Sequence, residues 1–342
     1  MIRRTAVLLG GILLGGICSF AGGRTVAAQE PVQNETTQTT TDAGQGPQID
    51  MSVYLSMKAD TQVHIQPGTS WDVLGVLKEG QPAIAISRMD NGWVQIYYMG
   101  MIGYIPGDAA ENYVMPEPTL WREISIEGDI KINALGDSIT YGDKLSDTSL
   151  SFPNVVSAKA GAVCLNNYGW NGSSVAGPHP DRLIDRYPTM ARDANLILVL
   201  GGTNDYGGRN EDGTIIGQIG DMTPDTFYGS LNLMMCGLKQ MYPDGEIVFM
   251  TPLRRVGYMR RNRNGYYLNQ YVLAIQQMAA FWGIRVIDLF NEPELDFSSK
   301  SSYLVDGLHP NATGQALIGA YVYRQLFENP YEMAVSDVTV QN

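Results

Sequence analysis

Four short blocks of the chain carry residue types that could share out an acyl transfer. In Leu135-Gly136-Asp137-Ser138-Ile139-Thr140-Tyr141-Gly142, a serine follows an apolar run. A serine hydroxyl is a weak nucleophile until a base takes its proton, a third group orients that base, and donors receive the oxyanion. His309, in Asp306-Gly307-Leu308-His309-Pro310-Asn311, is the candidate base, taking the Ser138 proton and then returning it to the leaving group. Asp306 stands three residues earlier, placed to reach back across the turn to the other ring nitrogen. Asn204, in Gly201-Gly202-Thr203-Asn204-Asp205, offers a side-chain amide to the oxyanion, and the Ser138 N–H is a further donor. Within Asn167-Tyr168-Gly169-Trp170-Asn171-Gly172-Ser173-Ser174, Gly169 and Gly172 compete to supply a backbone donor; Gly172 is preferred for its place ahead of the two serines. Losing one such donor typically costs about 3 kcal/mol of transition-state stabilisation. Taken singly, Ser138 or His309 could cap a helix, Asn204 could shape a turn, and Asp306 could be a loop carboxylate. Four blocks in order, each where a strand should end, favour the catalytic reading.

Residues so far apart meet only if strand ends share an edge. The apolar runs Lys131–Leu135, Ala162–Asn167, Leu196–Leu200, Glu246–Met250 and Arg285–Leu289 read as strands. Between and after them lie helical patterns at Phe152–Ala160, Arg182–Tyr187, Pro224–Met241, Tyr266–Phe281 and Asn311–Phe327. Alternating strands and helices predict an α/β fold, a three-layer sandwich on a five-stranded parallel sheet, over residues 120–329. In such sheets ligands bind beyond the carboxyl ends of the strands, where all four blocks fall.

These blocks resemble those of the SGNH hydrolases, the GDSL esterase/lipase family. The resemblance implies a flavodoxin-like α/β/α fold and ester hydrolysis through an acyl-enzyme. It also implies that Ser138, Gly172, Asn204 and His309 are the family's four named residues, with Asp306 completing the triad. No Gly-x-Ser-x-Gly elbow is present, which counts against the α/β-hydrolase alternative.

The chain ahead of this domain divides further. Arg3 and Arg4, the apolar stretch Ala6 to Ile17 and the small residues Val26-Ala27-Ala28 read as a signal peptide over 1–28. Residues 29–48, rich in Gln, Thr and Gly, read as a disordered linker, and 330–342 as a loose tail. Over 49–115, short alternating runs separated by Pro67-Gly68, Glu79-Gly80, Asn91-Gly92 and Met99-Gly100 predict a small β-barrel. That succession resembles a bacterial SH3-type domain, through Leu74-Gly75-Val76-Leu77-Lys78-Glu79-Gly80, Asn91-Gly92-Trp93 and Gly103-Tyr104-Ile105. Such domains often bind peptidoglycan or other cell-wall glycans, and Trp71, Tyr97, Tyr98 and Tyr104 are the candidate ligand face, with His64 read as a strand surface residue.

Composition narrows the function classes. Removing residues 1–28 takes away three arginines and no acids, moving the net charge from −12 to −15. So acidic a chain repels nucleic acid and anionic membranes, and no stable membrane insertion is expected after cleavage; the location expected is secreted or cell-wall associated. No Cys/His cluster has metal-ligand spacing, so neither metal nor cofactor is expected. Cys164 and Cys236, both among apolar neighbours, read as buried free thiols. After the fourth strand, Arg254, Arg255, Arg260, Arg261 and Arg263 crowd into ten residues, a candidate subsite for a carboxylate-bearing glycan or else a solvated loop. No apolar lid is visible. The substrate expected is therefore an ester of acetyl or another short acyl group on carbohydrate or cell-wall glycan. The alternatives are a broad-range short-chain acyl esterase and, from another class, a non-catalytic wall- or glycan-binding protein.

Overall fold

The computed structural model describes residues 49–117, 124, 126–177, 181–207, 213–299 and 301–328; the expected signal peptide 1–28, linker 29–48 and tail 330–342 lie outside the described residues. Seven short strands open the described chain: β1 (Tyr54–Met57), β2 (Thr61–His64), β3 (Val73–Leu77), β4 (Pro82–Arg88), β5 (Trp93–Tyr98), β6 (Met101–Pro106) and β7 (Ala110–Asn112). They form one antiparallel sheet in the order β3-β2-β6-β5-β4-β1-β7. The β5–β6 hairpin turns on Met99 (φ 48°) and Gly100 (φ 89°), two left-handed residues whose twist matches that of the paired strands. Along β5, Val94, Ile96 and Tyr98 point into the core and the residues between them are half-buried.

Two expectations for this region are corrected. Tyr97 and Tyr98 do not join a ligand face: Tyr98 is core, and the Tyr97 hydroxyl meets the Tyr187 hydroxyl at 3.0 Å, because β4 and β5 lean on the helices that follow. His64 is not on the surface. A break in register between Val63 and His64 turns both side chains inward, and His64 Nδ1–H donates to Trp71 O at 2.9 Å.

The second sheet contains β8 (Lys131–Gly136), β9 (Cys164–Gly169), β10 (Leu196–Leu200), β11 (Glu246–Met250) and β12 (Arg285–Ile287). All pairs are parallel, in the order β12-β11-β10-β8-β9, the flavodoxin-like arrangement. The helices are α1 (Ser138–Tyr141), α2 (Phe152–Ala160), α3 (Leu183–Arg186), α4 (Thr203–Gly207), α5 (Phe227–Met241), α6 (Leu268–Trp282) and α7 (Ala312–Phe327). β10, the middle strand, is apolar throughout because both its faces are covered. In β10, Leu196, Leu198 and Leu200 pack with Phe152 and Val156 of α2 and Ile318 and Val322 of α7, whereas Ile197 and Val199 pack with α5 and α6. That second core continues without a break into Tyr54, Val63, Ile84 and Ile96 of the antiparallel sheet.

Local chemistry sets the helix limits. Gly161 and Gly283, both at φ 63°, end α2 and α6 in the left-handed conformation. α5 begins three residues later than its apolar pattern suggests, because Thr226 caps it by accepting from the Gly229 N–H. Cys236 is a buried free thiol, but Cys164 is exposed: it opens β9, the edge strand among the described residues.

Candidate active site

The register brings the first three blocks together, and the contact of His309 with Ser138 brings in the fourth. Gly136 lies opposite both Gly169 and Leu200, and Leu200 opposite Met250, so the loops that follow leave one edge of the sheet side by side. β8 is the switch point, with β9 on one side and β10 on the other, where open α/β sheets form a crevice. At its end the backbone is drawn tight. A Cβ on Gly136 would sit 2.0 Å from Thr140 Oγ1 and 2.8 Å from Leu200 O, so only glycine lets α1 fold back there. Asp137 caps α1, its Oδ1 accepting from the Ile139 N–H at 2.9 Å, and Ser138 is the first helical residue.

Ser138 Oγ lies 2.9 Å from His309 Nε2, and His309 Nδ1 lies 2.8 Å from Asp306 Oδ2. The other carboxylate oxygen of Asp306 accepts from the backbone N–H groups of His309 at 2.9 Å and Leu308 at 3.2 Å. Burial alone would push the Asp306 carboxyl up, but these N–H groups and the His309 ring outweigh it and hold the carboxyl below its ordinary value. The loop bearing both residues is closed by Val305 N–H donating to His309 O at 2.8 Å, and pinned from outside by Val256 N–H donating to Gly307 O at 3.1 Å.

Asn204 stands on α4, where its amide donates to Ser173 O at 2.9 Å and keeps its second hydrogen for the cleft. Gly172, at φ 76°, lines the same cleft. Gly169 has a packing role instead: a Cβ there would fall 2.2 Å from the backbone N of Tyr141. The cleft holds about 350 Å³, bounded by Ser138, Gly172, Asn204 and His309 together with Asp143 and Lys144.

Three of the surrounding residues had no reading in the sequence. Asp205, fully buried, accepts from the Val175 N–H at 2.8 Å and the Ala176 N–H at 3.0 Å, and so suspends the loop that carries Gly172. Arg186 donates to Gly136 O at 2.8 Å, Tyr168 O at 2.7 Å and Ser173 Oγ at 2.9 Å, binding two strand ends to that loop. Asp143 lies 3.7 Å from His309 Nε2 through its Oδ2. Of the five arginines, Arg255 reaches the cleft wall, donating to Gly207 O at 3.1 Å with its guanidinium over the Tyr206 ring. Arg254 faces Asp296 and Asn291 instead, and Arg260, Arg261 and Arg263 are exposed, Arg261 over the Tyr267 ring.

A protein from Lactobacillus plantarum is 30% identical over 57% of this chain and 94% of its own, with a TM-score of 0.52. A lipase/acylhydrolase from Enterococcus faecalis is 22% identical over 57% of this chain and 94% of its own, with a TM-score of 0.42. No curated protein matches the chain. The GDSL-like lipase/acylhydrolase family matches residues 134–317, from the middle of β8 into α7, and so takes in all four blocks. The chain belongs to the GDSL-like lipase/acylhydrolase family and is a carboxylic ester hydrolase.

Proposed function

We propose that this hydrolase is an exported serine esterase that removes acetyl or other short acyl groups from carbohydrate or cell-wall glycan. The observation that carries this reading is the relay Asp306–His309–Ser138, with contacts of 2.8 and 2.9 Å, opening on a small polar cleft. Ser138 Oγ bonds to the acyl carbon as His309 Nε2 takes its proton. The oxyanion receives the N–H groups of Ser138 and Gly172 and the second amide hydrogen of Asn204. Collapse breaks the bond to the alcohol oxygen, which leaves with the proton from Nε2. A water molecule then repeats the sequence on the acyl-enzyme, while Asp306 holds the imidazole tautomer and steadies the imidazolium.

The short acyl group is supported by the polar residues that line the cleft, Asp143, Lys144, Asn171 and Asn204 beside Ser138 and His309. Export is supported by the Arg3-Arg4, apolar and Val26-Ala27-Ala28 succession. The antiparallel sheet, with glycine at the turns Gly80, Gly92 and Gly100, is read as an SH3-type module whose exposed Trp71 meets wall glycan or peptide. Arg260, Arg261 and Arg263, exposed on one loop, are read as the place for an anionic group of that polymer.

Hydrolysis of p-nitrophenyl acetate, butyrate and octanoate, and acetate release from an O-acetylated glycan, test the proposal beside Ser138→Ala. The expected result is faster turnover of acetate than of octanoate, acetate release from the glycan, and a loss of at least about 10³-fold in kcat for the variant. Equal rates for wild type and Ser138→Ala would remove the serine from the mechanism. Octanoate turned over faster than acetate would remove the short-acyl assignment.

A further inference from the structure

Asp143 and Lys144 take no part in the steps above, yet both line the cleft beside His309. Asp143 is held there by the nucleophile's own residue. α1 ends at Gly142 (φ 89°), and the backbone N–H groups of Gly142 and Asp143 both return to Ser138 O, at 3.0 and 2.9 Å. The backbone of Asp143 therefore has a fixed place relative to Ser138. Asp143 Oδ2 lies 3.7 Å from His309 Nε2, too far for a hydrogen bond, whereas Ser138 Oγ occupies that nitrogen at 2.9 Å. Asp143 thus does not compete for the proton that Nε2 handles. Lys144 Nζ, 3.4 Å from the same oxygen, offsets its charge.

The position of the leaving group follows from the proton it must receive. Its oxygen has to come within about 3 Å of Nε2 to be protonated, which puts it no more than about 7 Å from Asp143 Oδ2. The oxyanion donors Gly172 and Asn204 serve the acyl side. The next atoms of the alcohol are therefore within reach of the Asp143 carboxylate, which is an acceptor only and can receive several hydrogen bonds.

We infer that Asp143, backed by Lys144, is the specificity residue of the leaving-group side, and that it selects alcohols bearing a hydroxyl next to the ester oxygen, as a sugar or other polyol does. This rests on the serine-esterase reading and names the feature of the substrate that this side of the site recognises.

Two esters isolate the effect: 2-hydroxyethyl acetate and ethyl acetate share an acyl group and a two-carbon alcohol and differ by the neighbouring hydroxyl. Acetate release by the full chain should give a kcat/KM preference of at least about tenfold for the hydroxylated ester, the range of a hydrogen bond to a charged group. In Asp143→Ala that preference should vanish, the loss in kcat/KM falling more heavily on the hydroxylated ester than on ethyl acetate. In Asp143→Asn, which keeps an acceptor oxygen, it should be intermediate. Comparing ratios between variants cancels the small difference in leaving-group acidity. A wild type without the preference, or Asp143→Ala with the preference retained, overturns the inference. So does an equal fall on both esters in both variants, which would assign Asp143 to the histidine. Acetate release by Ser138→Ala at the wild-type rate would instead sink the serine reading beneath it, and so separates the two failures.

Discussion

Two buried carboxylates, Asp137 and Asp205, lie beneath the cleft, and burial pushes each up to about 6. In Asp205 the Ala176 and Val175 N–H groups oppose that shift without cancelling it, and in Asp137 the Ile139 N–H does so. Both folded-state values lie above the ordinary 3.8, so the folded chain holds these protons more tightly than the unfolded chain does. The stability this gives is complete below about pH 4 and is lost as the pH rises through about 6. Asp205→Asn removes one of the two titrations. Its amide can accept only one of the two N–H groups that the carboxyl takes, leaving the other facing an NH₂. We expect a deficit of about 1–3 kcal/mol at pH 4 that narrows toward pH 7, measured by urea unfolding at both values. A deficit that widens with pH would show that the carboxyl sits below its ordinary value instead. The contrast with the Asp306–His309 pair shows what a sequence makes legible at this scale. Asp306 and His309 are three residues apart, so their pairing is local and could be read. Asp205 stands in a block that could also be read, but its partners lie thirty and twenty-nine residues earlier, and nothing local announces them.

At the scale of elements, the parallel sheet was legible because short apolar runs alternate with longer helical stretches along the chain. β10 and β11 fall on their expected residues, as does α2. What was not legible were the consequences of pairing. Cys164 is exposed because β9 is an edge strand, and strand order is not written in any one segment. Arg186 is a similar case, since it belongs to a four-residue helix with no period to read. Its guanidinium nonetheless fixes the carboxyl ends of β8 and β9 and the Ser173 hydroxyl, and so the spacing between Ser138 and the loop that carries Gly172. Burial holds its proton affinity below the ordinary value, and no carboxylate is among these acceptors. Lysine keeps the charge but not the planar fork that reaches three acceptors at once. Arg186→Lys should therefore lower kcat on p-nitrophenyl acetate by about 10–100-fold with little change in KM, the cost expected of a shift of about 1 Å in a positioned site. Labelling of Ser138 by a phosphonate should slow in proportion. Wild-type kcat in this variant would show that the loop is held by other contacts.

At the scale of the whole molecule, the turn signals announced the antiparallel strands, but nothing in the sequence showed that their sheet shares a core with the hydrolase sheet. The contact is polar as well as apolar, and its polar groups are buried. Gln240, on α5, donates to Pro82 O at 3.0 Å and Tyr97 O at 3.1 Å, and its Oε1 accepts from the Met99 N–H at 2.9 Å. Asn232, two turns earlier on the same helix, donates to the Tyr54 hydroxyl at 2.8 Å and accepts from Trp282 Nε1–H at 3.0 Å. Tyr54 packs edge-on against Phe281 and Trp282 at the end of α6. A sheet joined in this way cannot come away without stripping partners from buried donors and acceptors on both sides. The two sheets should therefore unfold together. Gln240→Leu keeps the volume of the side chain but orphans the Met99 N–H and two carbonyls. It should lower stability by about 2–4 kcal/mol while leaving the unfolding a single transition. Hydrogen exchange pulsed across a urea series would read this directly, with peptides from β1–β7 and from β8–β12 losing protection at one midpoint in wild type and variant alike. Separate midpoints in the wild type would show that the antiparallel sheet is an independent module and that its contact with α5 contributes little to holding the hydrolase together.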